Sequence, residues 1–387
     1  MTAEADPIPR VTGLRRIDRT LHEAARRTTT REFDALAGRP VTRPGWSATR
    51  VLVTLAAVAL HLAFLAVAAA GLWLCVRGFP SFSLVPGVIL LLVAYELRPR
   101  FGRPPEYGTT VGRDEAPALY DLVDRVAAAL DAPRPDIVVL TDELNASAGT
   151  VGWRRRRCLA IGLPLWSVLT PPQRVALLGH ELGHFVNGDV RRGLLVQPVF
   201  TTLAVVDSLL APSTTLRYSG VVERLATAVW GLLAGLLREV LTLVRLVLVG
   251  LAQRDAQRAE YLADAFAARL AGTVPTVAML DLFASGDTVA MVAMREARKG
   301  SPAAVWREET QRILDAAPDD LAGRRQRSVE TEGSFFASHP PAGLRAALLE
   351  SRPAVAADLT LTAANNDRID AQLDKRYRAT ARDLANR

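Results

Sequence analysis

Gly179-His180-Glu181-Leu182-Gly183-His184 concentrates more potential chemistry than any other stretch of this chain. On a helix, positions i and i+4 share a face, so His180 and His184 can offer imidazole nitrogens to one ion. Glu181 follows the first histidine, where a carboxylate can take a proton from water bound to that ion. Zinc lowers the pKa of such a water to roughly 7, so a carboxylate suffices as the base. The competing explanation is a charged helix face in which the pattern arises by chance. The chain has five histidines, which makes a chance pair at this spacing improbable. Asn187-Gly188-Asp189 would end the helix just beyond the pair.

A catalytic zinc takes three protein ligands and keeps one position open. His22 lies in a polar stretch and His61 in a long apolar run, so neither is a natural third ligand. The best acidic candidate is Glu260, in Ala259-Glu260-Tyr261-Leu262-Ala263-Asp264. Glu260 and Asp264 are again i, i+4 in a strongly helical stretch. One could bind the metal while the other holds a ligating histidine by its second ring nitrogen. On spacing alone, a solvated acidic pair on an amphipathic helix explains them equally well.

Taken together, H-E-L-G-H with N-G-D after it, and E-Y-x-A-D some seventy-five residues on, resemble the HtpX-like membrane zinc peptidases and the CAAX prenyl proteases. Ser338-His339-Pro340-Pro341, with Arg345 following, matches a further element of that family. The resemblance spans roughly residues 98 to 350. It implies one zinc per chain on His180, His184 and Glu260, with Glu181 as base and His339 binding the polarised carbonyl oxygen. It also implies supporting roles for Arg345 beside His339, for Asp264 and for Asp189. Asn145-Ala146 is similar to the pair that precedes the family's substrate-binding edge strand. The sequence departs from the family pattern at Ala256 and Gln257, where Ser-Arg is usual, and at Ser147, where an aromatic is usual.

The elements that must position these residues are legible to different degrees. Glu115 to Leu130 has helical periodicity and is stopped by Pro133 and Pro135. Ile137 to Leu140 and Cys158 to Gly162 read as short strands, and Pro171-Pro172 open the helix that carries the histidines. Gln253 to Leu270 is helical, 275 to 330 mostly so, and 351–387 reads as a charged tail of weak periodicity. The fold class expected is mainly α with a small β-sheet, a zincin-like α/β peptidase domain joined to membrane helices.

From Val51 to Cys75 the chain is apolar apart from Thr54 and His61, a helix of ~37 Å that can cross a bilayer with some tilt. Phe82 to Tyr95 is a shorter apolar run, and the two read as a transmembrane hairpin over 51–97. Arginines flank the hairpin (Arg31, Arg39, Arg43 and Arg50 before it; Arg98, Arg100 and Arg103 after), whereas the connector holds only Arg77. The positive-inside rule then places the polar segment 1–50 and the domain 98–350 in the cytoplasm. Two hydrophobic stretches, 193–211 and 225–251, interrupt the domain. They contain Asp207 and Arg238, so each is either a span with a packed face or an interfacial helix.

No apolar run falls within the first thirty residues, so no cleavable signal peptide is expected. The formal charge of +7 rests on arginine, with Lys299 and Lys375 the only lysines. No aromatic-interleaved basic stretch occurs, which disfavours nucleic acid and favours lipid head groups as the partner of these charges. Cys75 and Cys158 form no disulfide framework or thiolate site. The expected protein is a multi-pass, membrane-embedded endopeptidase of the bacterial plasma membrane acting on membrane or misfolded polypeptides. The alternative is a catalytically silent or signal-relaying scaffold.

Overall fold

The structure, a computed structural model, describes residues 27, 29–39, 41, 48–77, 79, 81–82, 84–98, 108–187, 203, 206–208, 210–211, 221–331 and 339–386. Asp189, Ser338, most of 193–211 and the first 26 residues lie outside the described residues.

Two apolar helices come first, α1 (Ala48–Arg77) and α2 (Leu84–Leu97). Among the described residues, only Val51–Arg77 is long and apolar enough to cross a membrane by itself. The two helices pack without bulk between them. A Cβ on Gly87 would sit 2.7 Å from the Cys75 sulfur, and one on Gly71 would meet the Leu91 backbone at 3.0 Å. Small residues at such a crossing let the two backbones approach closely.

The sheet has four strands, β1 (Thr109–Val111), β2 (Ile137–Thr141), β3 (Ala146–Val151) and β4 (Arg156–Gly162), in the order β1-β2-β4-β3. β2 and β4 run parallel, and the outer strands are antiparallel to their neighbours. The central pair are the apolar runs the sequence shows. The outer strands are short or polar (Thr-Thr-Val; Ala-Ser-Ala-Gly-Thr-Val) and carry no alternation to betray them. Val138, Leu140, Leu159 and Ile161 face the main helical core, while Ile137, Val139, Cys158 and Ala160 form a second cluster on the opposite face.

Helix α3 (Pro117–Leu130) buries Leu119, Leu122, Val123, Val126 and Leu130 in the main core and ends at Asp131 in the left-handed region. After the short α4 (Leu163–Val168), α5 (Pro171–Asn187) carries the histidine pair. Its start is capped by Gln173 reaching back to Thr170. The Gln173 side chain accepts from the Thr170 backbone N–H at 2.9 Å, ahead of two prolines that need no partner for a missing N–H.

Helix α6 (Val221–Ala271) is a single unbroken helix of 51 residues, where the sequence suggests separate segments at 225–251 and 253–270. The polar junction Gln253-Arg254-Asp255 contains no breaker, so the backbone hydrogen bonds simply run on. Its first half exposes Trp230, Leu232, Leu236, Leu243 and Val247, and Leu248 packs with Ala57 of α1 and Leu203. Arg238 is not a lone charge there: it makes a two-point ion pair with Asp207 at 2.7 and 3.1 Å.

Four helices, α7 (Thr273–Phe283), α8 (Gly286–Arg298), α9 (Ala303–Asp315) and α10 (Leu321–Thr331), lead to α11 (Ala342–Glu350) and α12 (Ala363–Ala385). The last helix differs from the charged tail expected for 351–387. Asn366, Ile369, Leu373, Tyr377, Thr380 and Leu384 make one buried stripe, three or four residues apart. Polar residues within that stripe hide its periodicity from a hydrophobicity count. Their partners are in the core: Arg174 of α5, fully buried, donates to Asn366 at 2.7 Å and pairs with Asp370 at 2.8 Å. The C-terminal helix is thus bolted to the base of the histidine helix. Ile369→Ala is expected to cost about 2–4 kcal/mol in denaturant unfolding of the chain in detergent. A loss below about 1 kcal/mol would mean that the helix contributes little to the core.

Candidate metal centre

The site forms where α5 and α6 cross. Gly179 and Gly183 flank the first histidine turn, and a Cβ on either would press on α6. At Gly179 it would lie 3.1 Å from the Ala267 Cα, and at Gly183 3.0 Å from the Phe266 ring and 3.3 Å from the Ala263 Cα. Two glycines facing two alanines bring the backbones together, which places Glu260 of α6 beside the imidazoles of α5.

His180 and His184 meet Nε2 to Nε2 at 3.3 Å, with rings nearly perpendicular. The Glu260 carboxylate lies 3.4 Å from His180 Nε2 and 3.5 Å from His184 Nε2. A tetrahedral ion with bonds of about 2.0–2.1 Å separates its ligand atoms by roughly 3.3 Å, so these spacings fit a shared metal ion. They are longer than good hydrogen bonds, and a histidine pair facing nitrogen to nitrogen gains little otherwise. Among the described residues, His180, His184 and Glu260 form a group able to hold such an ion. Both His180 and Glu260 are buried.

A second layer fixes the first. His180 Nδ1 faces Asp264 Oδ1 at 3.0 Å, which turns Nε2 towards His184 and Glu260. Asp264 in turn receives Arg345 of α11 from Nε at 2.8 Å and Nη2 at 2.7 Å, and both residues are buried. Burial opposes ionisation of Asp264, but the Arg345 charge and its hydrogen bonds prevail and hold the carboxyl at about 2. Burial and the Arg345 charge likewise oppose protonation of His180. The hydrogen bonds to Asp264 and Glu260 outweigh them and lift it to about 9. Glu260 is held well below the usual carboxylate range: burial would raise it, and the surrounding histidines, His339 foremost, more than compensate.

The sequence-derived residues fall into place unequally. Glu181 is buried on α5, one residue after His180. His339 reaches the site, but its Nδ1 is 2.6 Å from Glu260 Oε2, so this nitrogen is engaged by the carboxylate. Arg345 is paired with Asp264 and touches the His180 ring at 3.2 Å, not with His339 as the resemblance implies. The physical reason is charge: a guanidinium finds a far better partner in a buried carboxylate than in an imidazole. Asn145 and Ala146 open β3, an edge strand that packs on α5 and pairs only with β4 among the described residues. Gly179 and Gly183 were legible only as part of the histidine motif. Their role in helix approach depends on Ala263 and Ala267, far along the chain.

Comparison with known proteins agrees with this geometry. Residues 113–353 match the model of peptidase family M48, and the chain belongs to that family of metallopeptidases. It is 31% identical over 160 residues to a protease HtpX homolog of Moorella thermoacetica, an alignment covering 41% of this chain and 52% of the relative. A protease HtpX homolog 2 of Methanosarcina acetivorans is 27% identical over 31% of this chain and 44% of its own length. The protease HtpX of a Psychrobacter species is 24% identical over 57% of this chain and 66% of its own. The chain thus spans about half the length, or less, of the first two relatives. The metal implied by the family suits the three donors found here.

Two substitutions probe the arrangement. Asp264→Asn is expected to weaken metal binding about 10- to 100-fold, since Asn cannot hold both the His180 N–H and the Arg345 fork as a charge does. Gly183→Val should do so by pushing α6 away, and the loss of Glu260 as a ligand should appear as an altered visible spectrum of the cobalt-substituted protein. Unchanged affinity in both variants would mean that the metal does not depend on this crossing.

Proposed function

We propose that the chain is a membrane-embedded zinc endopeptidase that hydrolyses peptide bonds of membrane or misfolded proteins. The observation that carries the reading is the near-tetrahedral spacing of His180, His184 and Glu260, with the buried Glu181 following His180 on the same helix. Zinc held by these three residues would supply a water of near-neutral pKa and polarise a peptide carbonyl.

The chain's own residues account for the rest. Glu181 takes the proton of the attacking water and later delivers it to the leaving nitrogen. His339, its Nδ1 occupied by Glu260, has Nε2 left to donate to the developing oxyanion when the ring carries both protons. Arg345 acts through Asp264, keeping His180 in the orientation and tautomer that a ligand needs. The edge of β3, unpaired among the described residues, would support an extended polypeptide by strand addition from Asn145 and Ala146 onward, aligning its backbone with α5 beneath.

For the membrane, α1 is the primary span, and α2 and the first half of α6 accompany it. The exposed apolar surface of that half-helix and its contact with α1 support this arrangement. The Arg238–Asp207 pair removes the main objection, an uncompensated charge in lipid. The arginine flanks favour a cytoplasmic N-terminus and active site, in a bacterial plasma membrane.

The test compares the parent with Glu181→Gln in detergent, measuring bound zinc and casein cleavage together. One zinc per chain in both, with cleavage reduced about 10²–10⁴-fold in the variant, is the expected result. Zinc in both without cleavage in either would favour a binding scaffold on the same fold, and no zinc in the parent would sink the ligand assignment.

A further inference from the structure

Residues 29–39 lie ahead of the membrane helix, yet they fold back onto the peptidase domain. A helical stretch, 29–36, is followed by a turn at 37–39. Gln257 Nε2 donates to Thr29 Oγ1 at 2.7 Å, and Arg258 Nε donates to Glu32 Oε2 at 2.8 Å. At the other end, Arg352 Nη2 donates to the Leu36 carbonyl at 3.3 Å and the Gly38 N–H donates to Ser351 Oγ at 3.2 Å.

These anchor points are not scattered. Gln257 and Arg258 sit on α6 in the turn before Glu260, and Ser351 and Arg352 directly follow α11, which carries Arg345. The strap therefore bridges the two helices whose side chains make the third ligand and the Asp264–Arg345 support. It also covers a chain-specific feature, for Gln257 is one of the positions where the sequence departs from the family pattern.

The chemistry of the seam is polar. Glu32 is 2% exposed and its partner Arg258 is 44% exposed, while Phe33 and Leu36 are only half-buried. Near this seam three buried polar atoms, Gln257 Oε1, Tyr261 Oη and Arg352 Nε, have no hydrogen-bond partner among the described residues. A segment held by a few polar contacts with little apolar burial belongs to the low-stability end of a fold. A buried carboxylate loses stabilisation when a cationic partner is removed, so the Glu32–Arg258 pair is sensitive to change at either member.

We propose that residues 29–39 are a positioning strap for the metal centre, with the Glu32–Arg258 pair setting how firmly α6 presents Glu260. The proposal rests on the metal-centre reading above. Glu32 and Arg258 are positioning residues, acting through α6 and not on the substrate. If the strap merely covers surface, its loss lowers stability and leaves the metal alone.

The test uses the full chain in detergent with Glu32→Ala, Arg258→Ala and the double variant. Zinc affinity is read by competition with a chromophoric chelator, and ligand geometry by the visible spectrum of the cobalt form. The expected result is a roughly 10-fold loss of zinc affinity and a shifted cobalt spectrum in each single variant. The double variant should be no weaker than the worse single, because the two changes break one interaction. If the alanine variants do not fold, Glu32→Gln and Thr29→Val carry the same comparison. Parental zinc affinity and cobalt spectrum in folded variants, whatever their melting temperatures, would overturn the strap's role. A parent that binds no zinc would instead overturn the metal-centre reading itself.

Discussion

The crossing of α5 and α6 without intervening side chains is the constraint on which the site depends. Glu260 can complete a ligand set with His180 and His184 only if the two backbones approach to within van der Waals contact. Gly179 and Gly183 opposite Ala263 and Ala267 permit that approach. Bulk at any of these positions would separate the helices by an amount comparable to the tolerance of a coordination bond. The rest of the domain supports this crossing: α4 and the Thr170–Gln173 cap set the entry of α5, and α12 is tied to its base through Arg174.

Close packing alone would leave several ionisable groups buried together at high cost. The structure offsets this by arranging charges in alternating sign. Arg345 meets Asp264, Asp264 meets His180, and Glu260 lies among three imidazoles. Arg345, Asp264 and Glu260 thus each have a partner of opposite sign or a hydrogen-bonding ring. Such a chain has few alternative arrangements, since moving one member strands its neighbour. Rigidity of this kind is what a ligand set needs, because affinity and geometry are then decided before a metal arrives.

The long helix α6 links two environments. Its first half is apolar and exposed beside α1, and its second half is buried in the domain with both Glu260 and Asp264. A continuous helix transmits displacement along its axis better than two helices joined by a loop. Glu260 is therefore mechanically joined to the hydrophobic helices, and the Arg238–Asp207 pair holds that half in register with the neighbouring segment.

Much of the site was legible in the sequence because its key spacings are local. An i, i+4 histidine pair shares a helix face whatever the surrounding fold, and the same holds for Glu260 with Asp264. The central strands and α3 were legible for a similar reason, each carrying its own apolar period. Three features were decided only in three dimensions. The outer strands β1 and β3 are too short and polar to show alternation, and exist because β2 and β4 offer them hydrogen-bonding edges. The C-terminal helix α12 buries a stripe that includes Asn366 and Thr380, which become core residues only when Arg174 and the neighbouring helices surround them. The partner of Arg345 was decided the same way: the resemblance implies His339, and only packing brings the Asp264 carboxylate to the guanidinium. Local spacing determined which residues could bind a metal, and the long-range approach of two helices determined that they meet.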